Sequence, residues 1–255
     1  MKSRLATLAA GLVLGGSLLV VSTGAVGAVT TPAGPAGKGV CATEAAATRV
    51  AGAKIDDLRA WGNCEINRRF VTLTALSSAI TASKVMTPSD AAALQGEISS
   101  TRSGLTSLKT TIDSETVVLA LRADIVKIAT DYRVYLLVVP QVHLVNASDG
   151  ILATQTRFTD LNTKLSARIA TAKAAGKDTK AAQADLDAMN AAVAKAIGLA
   201  TPLPAALLAL TPAQYNGGTA GPVLSNARAA IVSARDDLKS AVAAAQACRT
   251  ALAAL

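Results

Sequence analysis

Apolar residues recur along this chain at steps of three and four, the period of one face of an α-helix. The most regular stretch is Leu94, Ile98, Leu105, Leu108 and Ile112, with Thr101 filling one step. It follows Thr87-Pro88-Ser89-Asp90, a helix start in which a hydroxyl cap precedes a proline at the first turn and a carboxylate three residues on. A first helical region is expected over about 43 to 83, with a break at Trp61-Gly62-Asn63 and a main stripe of Ile66, Phe70, Leu73, Leu76 and Ile80. Val118, Leu121, Ile125, Ile128, Tyr132, Tyr135 and Val139 form the next stripe, which resumes past Pro140 through Ile151, Phe158, Leu161, Leu165 and Ile169. Gly176-Lys177-Asp178 reads as a turn. Two more helices follow, on Ala182, Leu186, Met189, Val193 and Ile197, then on Ile231, Ala234, Leu238, Ala241, Ala245, Cys248 and Leu252.

Sustained heptads joined by short turns predict an all-α protein, an elongated antiparallel coiled-coil bundle. The lengths favour two three-helix units sharing a central helix over about 117 to 175, roughly 90 Å long at 1.5 Å per residue. A compact bundle folded at Pro140 or Asp149-Gly150 is the alternative. The domain division is 41–146 and 147–255. Residues 200 to 222 interrupt the pattern with Pro202, Pro204, Pro212, Pro222 and Gly217-Gly218. The apolar plug AALLAL at 205 to 210 is expected to cap the open end of the second unit.

The N-terminus reads as an export signal: Lys2 and Arg4, an uncharged run Leu5–Val21, then small residues ending Val26-Gly27-Ala28. Cleavage is expected after Ala28, giving a product that is secreted or held in the cell envelope. The alternative is an uncleaved anchor. Residues 29–40 form a Pro/Gly tether, and no later stretch reads as long and apolar enough to span a membrane. Composition supports helix and little else. Much of the apolar content is alanine, and six aromatic residues are few for 255.

The segment "DYRVYLLVVPQVHL", 131 to 144, concentrates what chemistry there is. It holds two of three tyrosines and the one histidine. Tyr132, Tyr135, Val139 and His143 fall on one helical face, in a stretch apolar nearly all round, so they read as a packed core with satisfied polar groups. The competing reading is a small-ligand or lipid site using Tyr132, His143 and residues 205–210. Pro140 should kink the helix by removing the hydrogen bond to the Leu136 carbonyl. This segment, with LTPAQYN at 210 to 216 and ARDDL at 234 to 238, resembles a group of exported, alanine-rich helical proteins of actinobacteria. The resemblance implies a helical, exported protein, and carries no activity and no site residues with it.

A single histidine cannot build a multi-histidine metal site, and neither Cys-x-x-Cys nor Gly-x-Ser-x-Gly spacing occurs. Asp124 with Asp131, and Asp236 with Asp237, read as surface carboxylates. The expectation is therefore no enzyme, no cofactor and no specific nucleic-acid partner. The formal charge is +8; removing Lys2 and Arg4 leaves +6. The densest basic patch is Lys164, Arg168, Lys173, Lys177 and Lys180, suited to an anionic cell-wall polymer or a membrane surface and otherwise a solvated helix tip. Another protein is the remaining candidate partner. Among Cys41, Cys64 and Cys248 one pair can form, leaving one thiol over; in the elongated arrangement Cys64 and Cys248 lie beyond bonding reach. The leading reading is a non-enzymatic envelope-associated interaction or spacer protein.

Overall fold

The computed structural model describes residues 39–49 and 53–255. The expected signal peptide, and the tether up to residue 38, lie outside them. Every regular element among the described residues is helical: α1 (Ala42–Ala47), α2 (Ile55–Ala82), α3 (Pro88–Ser114), α4 (Val118–Thr130), a π-helical turn (Val134–Val138), α5 (Val139–Leu152), α6 (Thr154–Ala174), α7 (Lys180–Ala200), α8 (Leu203–Leu208), α9 (Pro212–Asn216) and α10 (Ala220–Ala253).

Local chemistry sets the ends. Thr87 Oγ1 accepts from the Asp90 N–H at 3.1 Å, with Pro88 opening α3. Thr211 and Gln214 cap α9 reciprocally. At the end of α6 the Lys177 N–H reaches back to the Ala172 carbonyl, 3.1 Å, while Gly176 takes the left-handed conformation at φ 75°. That is the Schellman stop, which a side chain at 176 would strain.

α2, α3 and α4 pack against one another, and α6, α7 and α10 do likewise. The stripes predicted for α2 and α3 are buried: Ile66, Leu73, Leu76 and Ile80 face Leu94, Ile98, Leu105, Leu108 and Ile112 in one hydrophobic cluster. Phe70 is only half-buried, beneath the Arg102 guanidinium. The same cluster reaches through α5 to Ala196, Leu207 and Ile231. A second cluster joins Leu165, Ile169, Leu186, Met189, Ala241, Ala245 and Cys248. Alanine matters here because its small side chain lets α7 and α10 approach closely.

The structure departs from expectation at several places. α2 runs unbroken through Trp61-Gly62-Asn63. Gly62 is a contact, not a break: a Cβ there would sit 3.1 Å from Ile125 Cγ1 on α4 and 3.4 Å from two Ile112 methyl carbons on α3. Val118 does not join the buried stripe of α4 but is exposed. The helical run from Val118 to Ala174 spans 57 residues, yet it is interrupted at Asp131–Arg133, with Arg133 left-handed at φ 43°. Pro140 lies just beyond. It has no N–H and its ring crowds the preceding turn. The backbone answers with the wider π-turn, in which the Val139 N–H bonds the Val134 carbonyl. The irregularity therefore lies on the N-terminal side of the proline, not as a simple kink at it.

Composition also corrects the expectation about membrane-compatible stretches. Windows within 118–174 and 180–208 reach mean hydropathies of 1.3 and 1.6. In the first, more than half of the residues are buried within the protein; in the second, about a fifth are. Cys41 and Cys64 form a disulfide with their Cα atoms 5.9 Å apart, which ties α1 to α2. Cys248 is a free thiol buried in the second cluster.

Candidate functional site

α5 is the part of the chain against which most other elements meet: α2, α6, α7, α8 and α10 all touch it. Its buried side chains include Val142, Leu144, Val145 and Ile151, and also three polar ones, Gln141, Ser148 and Asp149. Gln141 is fully buried, and its Nε2 donates to the carbonyls of Leu207 (2.9 Å) and Leu210 (3.1 Å). The Leu207 carbonyl also accepts the Leu210 N–H at 3.1 Å, whereas Leu210 lies beyond α8, so Gln141 ties the α8–α9 connection to α5. Asp149 Oδ2 accepts from the Thr87 N–H at 2.9 Å, and Ser83 donates to Asn146 Oδ1 at 2.6 Å. The α2–α3 turn is thus tied to α5 at two points. Gln141 Oε1 and Asp149 Oδ1 are buried without a protein partner. Burial first, and then the neighbouring Asp90 carboxylate, push Asp149 up to about 6 against the opposing pull of the Thr87 N–H.

The four residues singled out on one face are dispersed by the break. Tyr132 lies in it, and its ring approaches α3 at Gly104, where a Cβ would be 2.6 Å from Tyr132 Cε1. Tyr135 lies in the π-turn and faces α2, with the guanidinium carbons of Arg68 and Arg69 at 4.8 and 5.1 Å from its ring centre. Both arginines bond Glu65 Oε2, at 3.1 and 2.7 Å. Val139 and His143 sit on α5, half-buried. The expectation of satisfied polar groups needs correcting. Tyr135 Oη is buried with no partner. His143 makes no hydrogen bond among the described residues, and burial lowers its pKa from the usual imidazole value. The fully buried stripe is instead Val134, Leu137, Val138, Gln141, Val142 and Val145.

The break is held from the far end of the chain. Arg133 Nε donates to Asn216 Oδ1 at 2.6 Å, its guanidinium lies 5.1 Å from the Tyr215 ring centre, and Asn216 Nδ2 donates to the Thr130 carbonyl at 2.9 Å. Residues 131–144 and 210–216 therefore touch each other. These contacts stabilise a left-handed arginine that would be unfavourable alone.

Lys164, Arg168, Lys173, Lys177 and Lys180 are brought together on α6, its turn and the first residue of α7, and all five are exposed. None of them forms a salt bridge among the described residues. Beside residues 205–210, Leu203, Ala206 and Leu207 line an open apolar groove of about 380 Å³ with Leu199, Val223 and Ala227; neither Tyr132 nor His143 reaches it.

The contacts of Gln141, Asp149 and the Arg68–Arg69 pair were not legible in the sequence. A glutamine amid valines carried a signal, since a polar residue in a stretch apolar all round needs an internal partner; its partner, sixty-six residues on, carried none. Among the described residues no three His, Cys, Asp or Glu side chains gather in a way that could hold a metal ion. No protein-family model matches the chain, and no curated protein and no solved structure matches it significantly.

Proposed function

We propose that the protein is a non-enzymatic helical spacer or interaction protein, exported to the cell envelope, that meets an anionic polymer or surface through the α6–α7 hairpin. The observation that carries this reading is the set of five exposed cations there, free of carboxylate partners. Lysine and arginine side chains usually find neutralising neighbours along a solvated helix face. Here Asp178, the carboxylate inside the turn, is engaged with the Lys180 backbone N–H at 3.1 Å.

The architecture of the reading is an elongated antiparallel coiled coil of two three-helix units, α2–α3–α4 and α6–α7–α10, joined by the run from Val118 to Ala174. The mutual packing within each trio supports it. On this view the chain belongs with the exported alanine-rich proteins of actinobacteria that it resembles. Co-sedimentation with purified bacterial cell walls tests the function. Binding should be strong to intact walls and largely lost once their anionic polymers are stripped; equal binding to both would contradict it.

The groove beside α8 favours a second reading, a carrier of a small apolar ligand. Mass spectrometry of protein from its native host separates the two, since a carrier co-purifies with stoichiometric lipid.

A further inference from the structure

We propose that Asp149 and Asp90 form a latch closed by acid: a proton held between their carboxyl groups seats the α2–α3 turn on α5, and its loss toward neutral pH frees the turn. The latch is separate from the cationic hairpin and does not depend on the role assigned to it.

The turn, residues 83 to 87, lies against α5 at three points. Ser83 donates to Asn146 Oδ1 at 2.6 Å, a Cβ at Gly150 would stand 3.6 Å from Val85 Cγ2, and the Thr87 N–H donates to Asp149 Oδ2 at 2.9 Å. Asp149 is 1 % exposed. An ionised carboxylate so enclosed needs a partner for each oxygen. Oδ2 has the Thr87 N–H, and Oδ1 has none. The side chain within hydrogen-bond reach of this carboxyl group is Asp90, in the first turn of α3, which is also only an acceptor when ionised. The Asp90 backbone N–H is already given to Thr87 Oγ1. Two carboxylates in contact repel each other as anions. One proton turns the contact into a hydrogen bond, with Asp149 Oδ1 donating and the Asp90 carboxylate accepting.

No cation answers the pair. Lys84, in the same turn, is exposed and forms no ion pair among the described residues. α2 carries no charged residue beyond Arg69, and α8 carries none. Arg157 on α6, Lys195 on α7 and Arg228 on α10 are exposed, and neither they nor His143 on α5 act on Asp149.

In the closed turn, burial first and the Asp90 carboxylate with it raise Asp149 to about 6, against the pull of the Thr87 N–H. In an opened turn it returns to the ordinary value of 3.8. Closing therefore takes up a proton. The open form gains as pH rises from about 4 to about 6 and levels off above.

The test is amide exchange of the full-length protein, followed by NMR and corrected for the intrinsic effect of pH. Between pH 4.5 and 7.5 the amides of Met86 and Thr87 should lose more than about tenfold in protection, while that of Leu105, inside α3, changes far less. Asp149→Asn copies the protonated acid: its amide nitrogen can donate to Asp90 while its oxygen accepts from Thr87. The turn should then stay protected at both pH values. Asp90→Asn supplies the donor from the other side and should also protect the turn at pH 7.5. Asp90→Ala removes the charge without supplying a donor and should restore much less. Exchange in the turn that does not change with pH, or equal effects of Asp90→Asn and Asp90→Ala, would overturn the proposal. Protection at pH 7.5 that appears on adding calcium or magnesium would assign the two carboxylates to a cation, and overturn it equally.

Discussion

Asp149 on α5 accepts the backbone N–H of Thr87 at 2.9 Å while its other oxygen stays buried without a partner. One carboxylate thus serves as a tie for the α2–α3 turn and as a source of strain whenever it is ionised. Its pKa is raised to about 6 from 3.8, first by burial. Glu97, on α3, is raised by burial to about 7 from 4.5. For both groups the folded protein keeps a proton that the unfolded chain has already released, so stability rises as pH falls from about 8 toward 5. His143 acts in the opposite sense, since burial lowers its pKa and folding resists its protonation. With two carboxylates against one imidazole, the melting temperature should be higher at pH 5.5 than at pH 8. Glu97→Gln should flatten the upper part of that slope and Asp149→Asn the lower part, whereas His143→Gln should steepen it. Thermal melts across this range check all three.

Gln141 should matter more than any tyrosine around it. Gln141→Leu fills the site with similar bulk but takes one of two donors from the Leu207 carbonyl and strands the Leu210 carbonyl, and removes the orphaned Oε1 at the same time. The expected net loss is about 1–2 kcal/mol. Hydrogen exchange should rise across 201–219, with the rest of the chain keeping its protection. An increase spread evenly over all helices would contradict the assigned tie.

Gly104 and Tyr132 form a testable pair. Gly104→Ala gains helix propensity of about 1 kcal/mol but drives a methyl into the Tyr132 ring, and overpacking of this kind costs about 1–3 kcal/mol. The single change should destabilise by roughly 1 kcal/mol. In a Tyr132→Ala background the same substitution should stabilise. Denaturant unfolding of the four proteins measures the coupling.

How far the sequence was legible follows from where each feature draws its cause. The stripe Leu94–Ile112, the Thr87-Pro88 start and the Gly176 stop are local, written in spacing and backbone preference, and they read correctly. Gly62 did not, because a glycine that ends a helix and one that admits two isoleucines look alike without the isoleucines' positions. The break at Asp131–Arg133 was equally hidden: Arg133 has no intrinsic preference for a left-handed backbone and takes it with Tyr215 and Asn216 against it. The exposure of Lys164, Arg168, Lys173, Lys177 and Lys180 was legible, since each lies off the apolar stripe of α6 and α7 or in the turn between them. The polar ties of α5 were not, as they join residues more than sixty positions apart.

The Cys41–Cys64 bond should hold α1 without supporting the bundle. A loop of this length can contribute about 3 kcal/mol. α1 itself buries no residue, however, so when the bond is broken it can detach with the core intact. Cys41→Ser with Cys64→Ser should leave the melting temperature nearly unchanged and speed proteolysis between residues 42 and 54. A large fall in melting temperature would show that α1 is part of the core.

On the proposed function, the α6–α7 hairpin meets an anionic partner through Lys173, Lys177 and Lys180 with their neighbours Lys164 and Arg168. Exposed lysines act mainly by attraction that salt screens over about 8 Å at physiological strength. The most direct measurement is the affinity of the folded protein for a teichoic-type polymer as a function of salt, with and without Lys173→Gln, Lys177→Gln and Lys180→Gln together. The account predicts steep weakening with salt for the wild type, and weaker, less salt-sensitive binding for the triple variant at unchanged helical content. Binding that persists in high salt, or that survives the three changes, would contradict it.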